Sequence, residues 1–274
     1  MFAQMLENTR KLSPLIHCIT NYVTVNDCAN LLLACGASPI MSDDAAEVEE
    51  ITSICSGLDL NIGTLNQHTV PAMFLAGKKA NACRHPVLLD PVGAGASRFR
   101  SETALRLLQE VKFTVVRGNS SEIKALAAGS ASTNGVDAAL ADRITEQNLD
   151  ESIAYLQAFA KKLQSVVAVT GVIDLVTDGE TIYIIRNGHA MMSQITGSGC
   201  MLSALITAYL AANPKHALEA TAAAVSAMGL CGEMAYTRYL HHHAGNASYR
   251  TYLIDAVYQL DGKQLESGAN YERR

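Results

Sequence analysis

The sequence predicts an α/β fold: a mostly parallel central sheet flanked by helices on both faces, with an antiparallel edge, in a single domain over residues 1–274. Three observations carry this. Short apolar runs alternate with stretches of helical periodicity up to about Gly171, the pattern of parallel strands returning through helices that cover the sheet. The alternation then gives way to a hairpin signal at Asp178-Gly179. From Gly197 onward the chain reads as helices.

Each element follows from its residues. Leu15 to Ile19 is the first strand and stops at Thr20-Asn21-Tyr22. Val25 to Cys35 has apolar residues at helical spacing and ends at Gly36, a natural C-cap. Ala37 to Met41 is a second strand, followed by Ser42-Asp43-Asp44 and a helix from Glu47 to Ser56. Leu58 to Ile62 is a third strand, ending at Gly63-Thr64. Val70 to Asn81 is helical, with Pro71 in its first turn. Val87-Leu88-Leu89 runs into Asp90-Pro91, and a helix covers Glu102 to Glu110. Phe113 to Val116 is a strand ending at Arg117-Gly118-Asn119. Gly129 to Asn148 is the least periodic stretch and reads as a surface loop with a short helix. Glu151 to Leu163 is helical, and Val166 to Val169 is a strand ending at Thr170-Gly171. Asp174 to Thr177 and Thr181 to Ile185 flank the hairpin turn, and Asn187-Gly188 marks another turn.

Composition narrows the function classes. The chain is 49% hydrophobic and 17% charged, with net charge -5 and no tryptophan. With no Lys/Arg stripe, a nucleic-acid surface is not expected. Met1 to Arg10 lacks the apolar core of a signal peptide, and no segment reads as membrane-spanning. The most apolar tract, Ala217 to Cys231, contains Glu219 and reads as a buried helix. Seven cysteines without a CxxC pair read as reduced residues of a cytoplasmic protein, six of them structural.

Chemistry concentrates where strands end. In open α/β sheets, ligands bind outside the carboxyl ends of the strands, which gathers Asn21, Met41, Asp90, Arg117, Thr170 and the Gly197 turn at one edge. Ile195-Thr196-Gly197-Ser198-Gly199-Cys200 is a Gly-rich turn opening an apolar helix. Such a turn presents unpaired N–H groups at the positive end of the helix dipole, a site for phosphate. The missing side chains at Gly197 and Gly199 would let a ligand approach the backbone. The dipole would also favour the Cys200 thiolate. The plainer alternative is a turn before a buried helix, with Cys200 as a small core residue. Arg117 suits phosphate oxygens. Asp90 and Glu122 suit Mg²⁺ completed by waters and nucleotide phosphates; otherwise they are a turn cap and a surface ion-pair partner. Together these parts point to phosphoryl transfer, without a Walker A loop.

The residues then resemble a known family, the hydroxyethylthiazole kinases of the ribokinase-like superfamily. The resemblance rests on Ile19-Thr20-Asn21-Tyr22-Val23-Thr24-Val25-Asn26, Gly36-Ala37-Ser38-Pro39-Ile40-Met41, Leu60-Asn61-Ile62-Gly63-Thr64-Leu65 and Leu89-Asp90-Pro91-Val92-Gly93-Ala94-Gly95. Arg117-Gly118-Asn119 with Glu122, Val169-Thr170-Gly171 with Asp174, and Thr196-Gly197-Ser198-Gly199-Cys200 complete it, in family order. Many related kinases carry Asp where Cys200 stands; the thiol is the family's variant. The resemblance implies ATP, Mg²⁺ and 4-methyl-5-(2-hydroxyethyl)thiazole as reactants, with Cys200 as base. It places Arg117, Thr170, Asn119 and Gly199 at the nucleotide, Asp90 and Glu122 near Mg²⁺, and Met41, Gly197, Asn26 and Thr196 at the thiazole. It also implies a homotrimer with sites between neighbouring subunits. The chain departs from pattern at Gly245-Asn246-Ala247-Ser248-Tyr249, where relatives show a Gly-Pro-Gly-like turn.

Other readings stay open: a kinase for another small alcohol such as hydroxymethylpyrimidine, an ATP-dependent dehydratase of hydrated nicotinamide cofactor, and a nucleotide-binding regulator without turnover. His241-His242-His243 reads as a solvated helix end, and His17 and His68 as structural.

Overall fold

Among the described residues nine strands form one sheet in the order β2-β1-β3-β4-β5-β6-β7-β8-β9. The computed structural model describes residues 1–129 and 141–274. The parallel part comprises β1 (Leu15–Ile19), β2 (Ser38–Met41), β3 (Gly57–Asn61), β4 (Val87–Asp90), β5 (Val115–Asn119) and β6 (Val166–Thr170). The antiparallel edge is β7 (Asp174–Thr177), β8 (Ile182–Ile185) and β9 (Tyr271–Arg273). The β7–β8 turn is built as expected: Asp178 Oδ1 accepts from the Glu180 and Thr181 N–H groups at 2.9 Å, and Gly179 has φ +100.

Helices cover both faces. On one lie α1 (Phe2–Leu12), α2 (Val25–Ala34), α8 (Ser198–Ala212), α9 (Ala217–His241), α10 (Asn246–Gln259) and α11 (Gly262–Gly268). The other carries α3 (Val48–Ile54), α4 (Thr69–Cys83), α5 (Arg98–Glu110), α6 (Ser120–Gly129) and α7 (Leu149–Leu163). Strand burial alternates between two apolar clusters: Cys18, Leu88 and Val115 face the first, while Ile19, Leu58, Leu60, Leu89 and Val116 face the second. Helix α8 is apolar on nearly all sides because it lies between the sheet and the helices α1, α2 and α9.

Several bounds move for local reasons. β5 extends through Asn119, so Arg117 lies within a strand that pairs with β6 in register, Asn119 opposite Thr170. α5 begins at Arg98 because Ser97 caps it, accepting from Arg100 N–H at 3.3 Å. α9 runs ten residues past Cys231, to His241. The elements not expected include α1, α6, the 3₁₀ turn Ala190–Gln194 and β9. α1 buries Phe2, Met5, Leu6 and Thr9 at helical spacing but has no capping side chain. β9 is a three-residue edge strand paired to β8. Of the stretch 129–148, where a surface loop with a short helix is expected, residues 130–140 lie outside the described residues; the described part contains a 3₁₀ turn, Glu146–Asn148. Gly245 is the N-cap of α10, so the atypical turn opens an ordinary helix.

Buried His17 is held by Thr52 Oγ1 at 2.9 Å and the Ser42 carbonyl at 2.8 Å, and burial pushes its pKa down. Exposed His68 sits at the N-cap of α4. His241 to His243 are exposed where α9 ends. The cysteines are free thiols, all buried except half-buried Cys83.

Candidate active site

The ends of β3, β4 and β5 and the first turn of α8 meet around one polar chain. Asn21 Nδ2 donates to Cys200 Sγ at 3.2 Å and to Asn61 Oδ1 at 3.0 Å. Asn61, in register with Asp90, donates to Asp90 Oδ2 at 2.8 Å. That oxygen also accepts from Ser203 Oγ at 2.8 Å, one turn along α8 from Cys200. Arg117 Nη1 lies 3.6 Å from the same oxygen, and its Nη2 donates to Thr170 Oγ1. Two polar atoms in this chain remain unpartnered although buried: Asp90 Oδ1 and Arg117 Nε. Arg100 braces the surrounding loops by donating to the carbonyls of Val92 at 2.9 Å and Gly63 at 2.7 Å.

The glycines of the turn make room for other parts of the chain. Gly197 has φ +83, and a Cβ there would collide with the Thr24 methyl. A Cβ on Gly199 would lie 2.6 Å from Arg117 Nη1. The guanidinium therefore crosses the backbone at the helix start, and no side chain caps α8. Its first N–H groups and Arg117 form one positive patch.

Cys200 also departs from expectation. Burial raises its pKa, and the Asp90 charge adds to the rise; hydrogen bonds from Asn61, Thr24 and Asn21 pull it back only in part. The helix dipole does not win here, because desolvation and a nearby anion both disfavour the thiolate. Burial also outweighs Arg117 at Asp90, whose carboxyl is pushed up to about 6.

Glu122, in the first turn of α6, accepts from Gly93 N–H at 2.9 Å and Asn119 N–H at 2.8 Å. It thereby ties the loop after β4 to the end of β5. Its charge is felt by Asp90. Among the described residues no group of three His, Cys, Asp or Glu side chains could hold a metal. Two carboxylates, one with an unpartnered oxygen, suit a Mg²⁺ that keeps waters and phosphate oxygens, not an all-protein cage.

Beside this chain opens a cleft of about 810 Å³. Arg117, Asn119, Thr170 and Gly199, the four residues assigned to the nucleotide, all line it. Asp174 lines it too; desolvation pushes its carboxyl up to about 7, and it accepts from Gly171 N–H at 2.8 Å. The thiazole assignments are less tightly gathered. Met41 is half-buried at the end of β2, in register with Cys18. Thr196 is exposed just before Gly197. Asn26 is exposed on α2 and accepts from Asn30 Nδ2 at 3.0 Å; no contact within the chain brings it to Gly197 or Cys200. Asn21 and Thr24 reach the turn in its place. Thr24, Asn61 and Ser203 are parts of the site that residue type and spacing leave indistinct. For Asn61, an amide at a strand end before Gly63-Thr64 is the available signal.

The family model described as the hydroxyethylthiazole kinase family matches residues 6–263. A hydroxyethylthiazole kinase of Clostridium acetobutylicum is 58% identical over 272 residues, covering 99% of each chain. The corresponding protein of Methanobrevibacter smithii is 44% identical, over 98% of this chain and 95% of the relative. A solved hydroxyethylthiazole kinase structure from Pyrococcus horikoshii superposes with a TM-score of 0.87 at 32% identity, covering 100% of this chain and 98% of that one. Pyridoxal kinase from Staphylococcus aureus with ADP shares the fold, with a TM-score of 0.58 at 17% identity over 80% of this chain and 87% of that one. The sheet with its antiparallel edge is thus shared with the pyridoxal kinases, and by match of model, sequence and structure the chain belongs to the hydroxyethylthiazole kinase family.

Proposed function

We propose that this protein transfers the γ-phosphoryl group of ATP to the hydroxyl of 4-methyl-5-(2-hydroxyethyl)thiazole, a salvage step of thiamine biosynthesis, in the cytoplasm. The single observation that carries the reading is the meeting of the Cys200 thiol and the Arg117 guanidinium at the uncapped start of α8, beside Asp90.

Phosphoryl transfer proceeds through a loose transition state that needs positioning and charge neutralisation more than covalent chemistry. Arg117, held by Asp90 and Thr170, supplies a fixed cation for the phosphates, with the first N–H groups of α8 beside it. Asn119 and Gly199 border the same phosphates along the cleft. Mg²⁺, when bound, supplies neutralisation of the phosphate charge, with Asp90 and Glu122 as its carboxylate partners.

The acceptor lies on the other side of the turn, bordered by Met41, Thr196 and Gly197. Its hydroxyl oxygen forms the new bond to phosphorus as the bond to the ADP oxygen breaks, and its proton passes to the Cys200 thiolate. Asn21 orients the sulfur. The raised thiol pKa leaves only a small fraction of Cys200 as thiolate at neutral pH, which suffices when bond formation lags bond cleavage.

A homotrimer with sites between subunits follows the family resemblance. Tyr22 and Val23, 77% and 56% exposed, follow β1 just before α2, which carries exposed Asn26, and Tyr22 N–H donates to Thr64 Oγ1 at 3.2 Å. A neighbouring copy covering this surface would bring Asn26 to the acceptor. Sedimentation equilibrium is expected to give about three times the 29.2 kDa chain mass; a monomer at micromolar concentration would make a shared site untenable.

The activity test is direct. The protein is incubated with Mg-ATP and a panel of alcohols including the thiazole and hydroxymethylpyrimidine, and products are read by mass spectrometry. Thiazole phosphate as the main product is expected. Phosphorylated hydroxymethylpyrimidine in its place moves the acceptor assignment, and ADP without a phosphorylated alcohol ends the kinase reading.

A further inference from the structure

Met41 ends β2, and the backbone that follows it leaves the sheet. The ladder between β1 and β2 stops at the Cys18–Met41 pair, so the buried Ser42 takes its carbonyl hydrogen bond from elsewhere. The donor is His17. Its Nε2 lies 2.8 Å from the Ser42 carbonyl oxygen, and its Nδ1 lies 2.9 Å from Thr52 Oγ1 in α3. A carbonyl only accepts, so the proton of the neutral ring is on Nε2, and Nδ1 accepts from the Thr52 hydroxyl. Burial disfavours the charged ring and keeps it in that form. Both ring nitrogens are used, and one side chain joins β1, the exit of β2 and α3.

These contacts lie on the far side of the sheet from Cys200. Successive strand residues point to opposite faces. Cys18 belongs to the apolar cluster shared with α2 and α8, and the Met41 side chain packs against that same cluster. His17, one residue earlier, points to α3. It does not reach an alcohol lying between Met41 and Cys200, and acts only through the backbone it holds. That backbone has little else to hold it. β2 is the edge strand of the sheet, residues 43–47 are exposed, and methionine itself is an unbranched chain with three rotatable bonds. A second tether, from Ser42 Oγ to Glu47 Oε1 at 2.6 Å, comes from the exposed loop.

We propose that His17 is a positioning residue for the alcohol acceptor: by donating from Nε2 to the Ser42 carbonyl it fixes the end of β2, and with it the place of Met41 in the acceptor wall. This rests on the reading that borders the acceptor with Met41. It assigns to a buried imidazole on the opposite face of the sheet part of the affinity for the alcohol and none of the affinity for ATP.

Two substitutions divide the ring's contacts. In His17→Gln the amide nitrogen reaches the place of Nε2 and keeps the donation to Ser42. In His17→Asn the shorter amide reaches only the place of Nδ1 and keeps the Thr52 contact alone. Steady-state kinetics with thiazole and ATP varied separately, together with calorimetric binding of the thiazole to the intact protein, read the effect. His17→Asn is expected to raise the thiazole KM and Kd about fivefold or more, the worth of one buried hydrogen bond, with the ATP KM within about twofold. His17→Gln is expected to bring the thiazole KM back to within about twofold of wild type. Glu47→Ala, at an exposed position, releases the second tether and is expected to raise the thiazole KM about twofold without moving that of ATP. Thermal unfolding checks that each variant is folded, and Glu47→Ala decides the matter if His17→Asn does not fold. Equal losses in the Asn and Gln variants, or thiazole and ATP KM values that rise together, overturn the inference and leave His17 a packing group. An unchanged thiazole KM in folded His17→Asn overturns it too, as does an unchanged value in Glu47→Ala where the Asn variant is unfolded. A wild-type protein that phosphorylates no alcohol overturns the kinase reading itself, and this inference with it.

Discussion

At the amino ends of the central strands, Asn81 Nδ2 donates to the Lys112 carbonyl at 2.8 Å, and Lys112 N–H donates back to Asn81 Oδ1 at 2.7 Å. Ser165 Oγ donates to the Phe113 carbonyl at 2.8 Å, and Lys78 pairs with Glu110 at 2.6 Å. Apart from Lys78, these residues line a hollow of about 370 Å³. At the carboxyl ends of the same sheet, Asp90 Oδ1 and Arg117 Nε are buried with no partner, and Cys200 is held in the less favourable environment for its thiolate. Both regions are concave and both carry polar side chains. The difference is that one has closed its hydrogen bonds within the chain and the other keeps groups in reserve. A buried unpaired polar atom costs roughly 1–3 kcal/mol, a cost that a ligand reaching Asp90 Oδ1 and Arg117 Nε would offset.

Breaking the carboxyl-end network should have the largest effect. Asp90→Ala strands Arg117 as a buried cation and removes the acceptor for Asn61 and Ser203. A loss of about 3–5 kcal/mol of stability is expected, as when one partner of a buried pair is removed. Urea unfolding measures it; a loss below about 1 kcal/mol would mean that the Arg117 charge is already solvated.

Arg117→Ala is expected to weaken ATP use by about 1.5–3 kcal/mol, the value of a charge-assisted contact. Steady-state kinetics with ATP and thiazole varied separately should place the change on ATP. Unchanged kinetics for both would return Arg117 to the role of a structural partner for Asp90.

At Cys200 the sign of the pKa shift sets the pH profile. With the thiol pushed above its ordinary value, the thiolate fraction keeps growing as pH rises past neutrality, so kcat should climb through pH 6–9 without levelling. Cys200→Ser should lower kcat about 10- to 100-fold, the low end of general-base effects. Cys200→Asp should support turnover at least as well as Ser and shift the profile toward acid. A folded Ser variant matching wild type at every pH would make Cys200 a packing residue.

The smallest effect belongs to the opposite end. Asn81→Ala removes two hydrogen bonds and is expected to cost about 1–2 kcal/mol of stability while leaving kcat and both KM values unchanged. An activity loss there would erase the contrast between the two ends.

What was legible in the sequence follows from range. Strands, the β7–β8 hairpin and the ends carrying Asp90, Arg117 and Thr170 were readable because strand patterning is local and the strand-end rule is topological. Contacts such as Asn21 to Cys200, 179 residues apart, were not. Asn26 could not be told from Asn21 because nothing local shows which side of α2 meets α8. In the structure Asp27, Cys28 and Leu31 face inward, and Asn26 and Asn30 share the outer stripe. The direction of the Cys200 shift is hidden for a similar reason: the dipole is written in the helix, but the burial that dominates the shift is set by distant packing, and the Asp90 charge that adds to it comes from 110 residues away. β9 carries no strand signal beyond three exposed or half-exposed residues and exists because β8 offers it an edge.

The Arg117 guanidinium lies across Gly199 so closely that one methyl group would displace it. The two positions are therefore a single heritable unit. Gly199→Ala in the wild-type background should be as harmful as losing the arginine, yet add little once Arg117 is already alanine. A lineage could reach an arginine at this strand end only after glycine stood at the start of α8, and could abandon that glycine only after abandoning the arginine. The order of substitutions open to this enzyme is constrained by a gap of 2.6 Å.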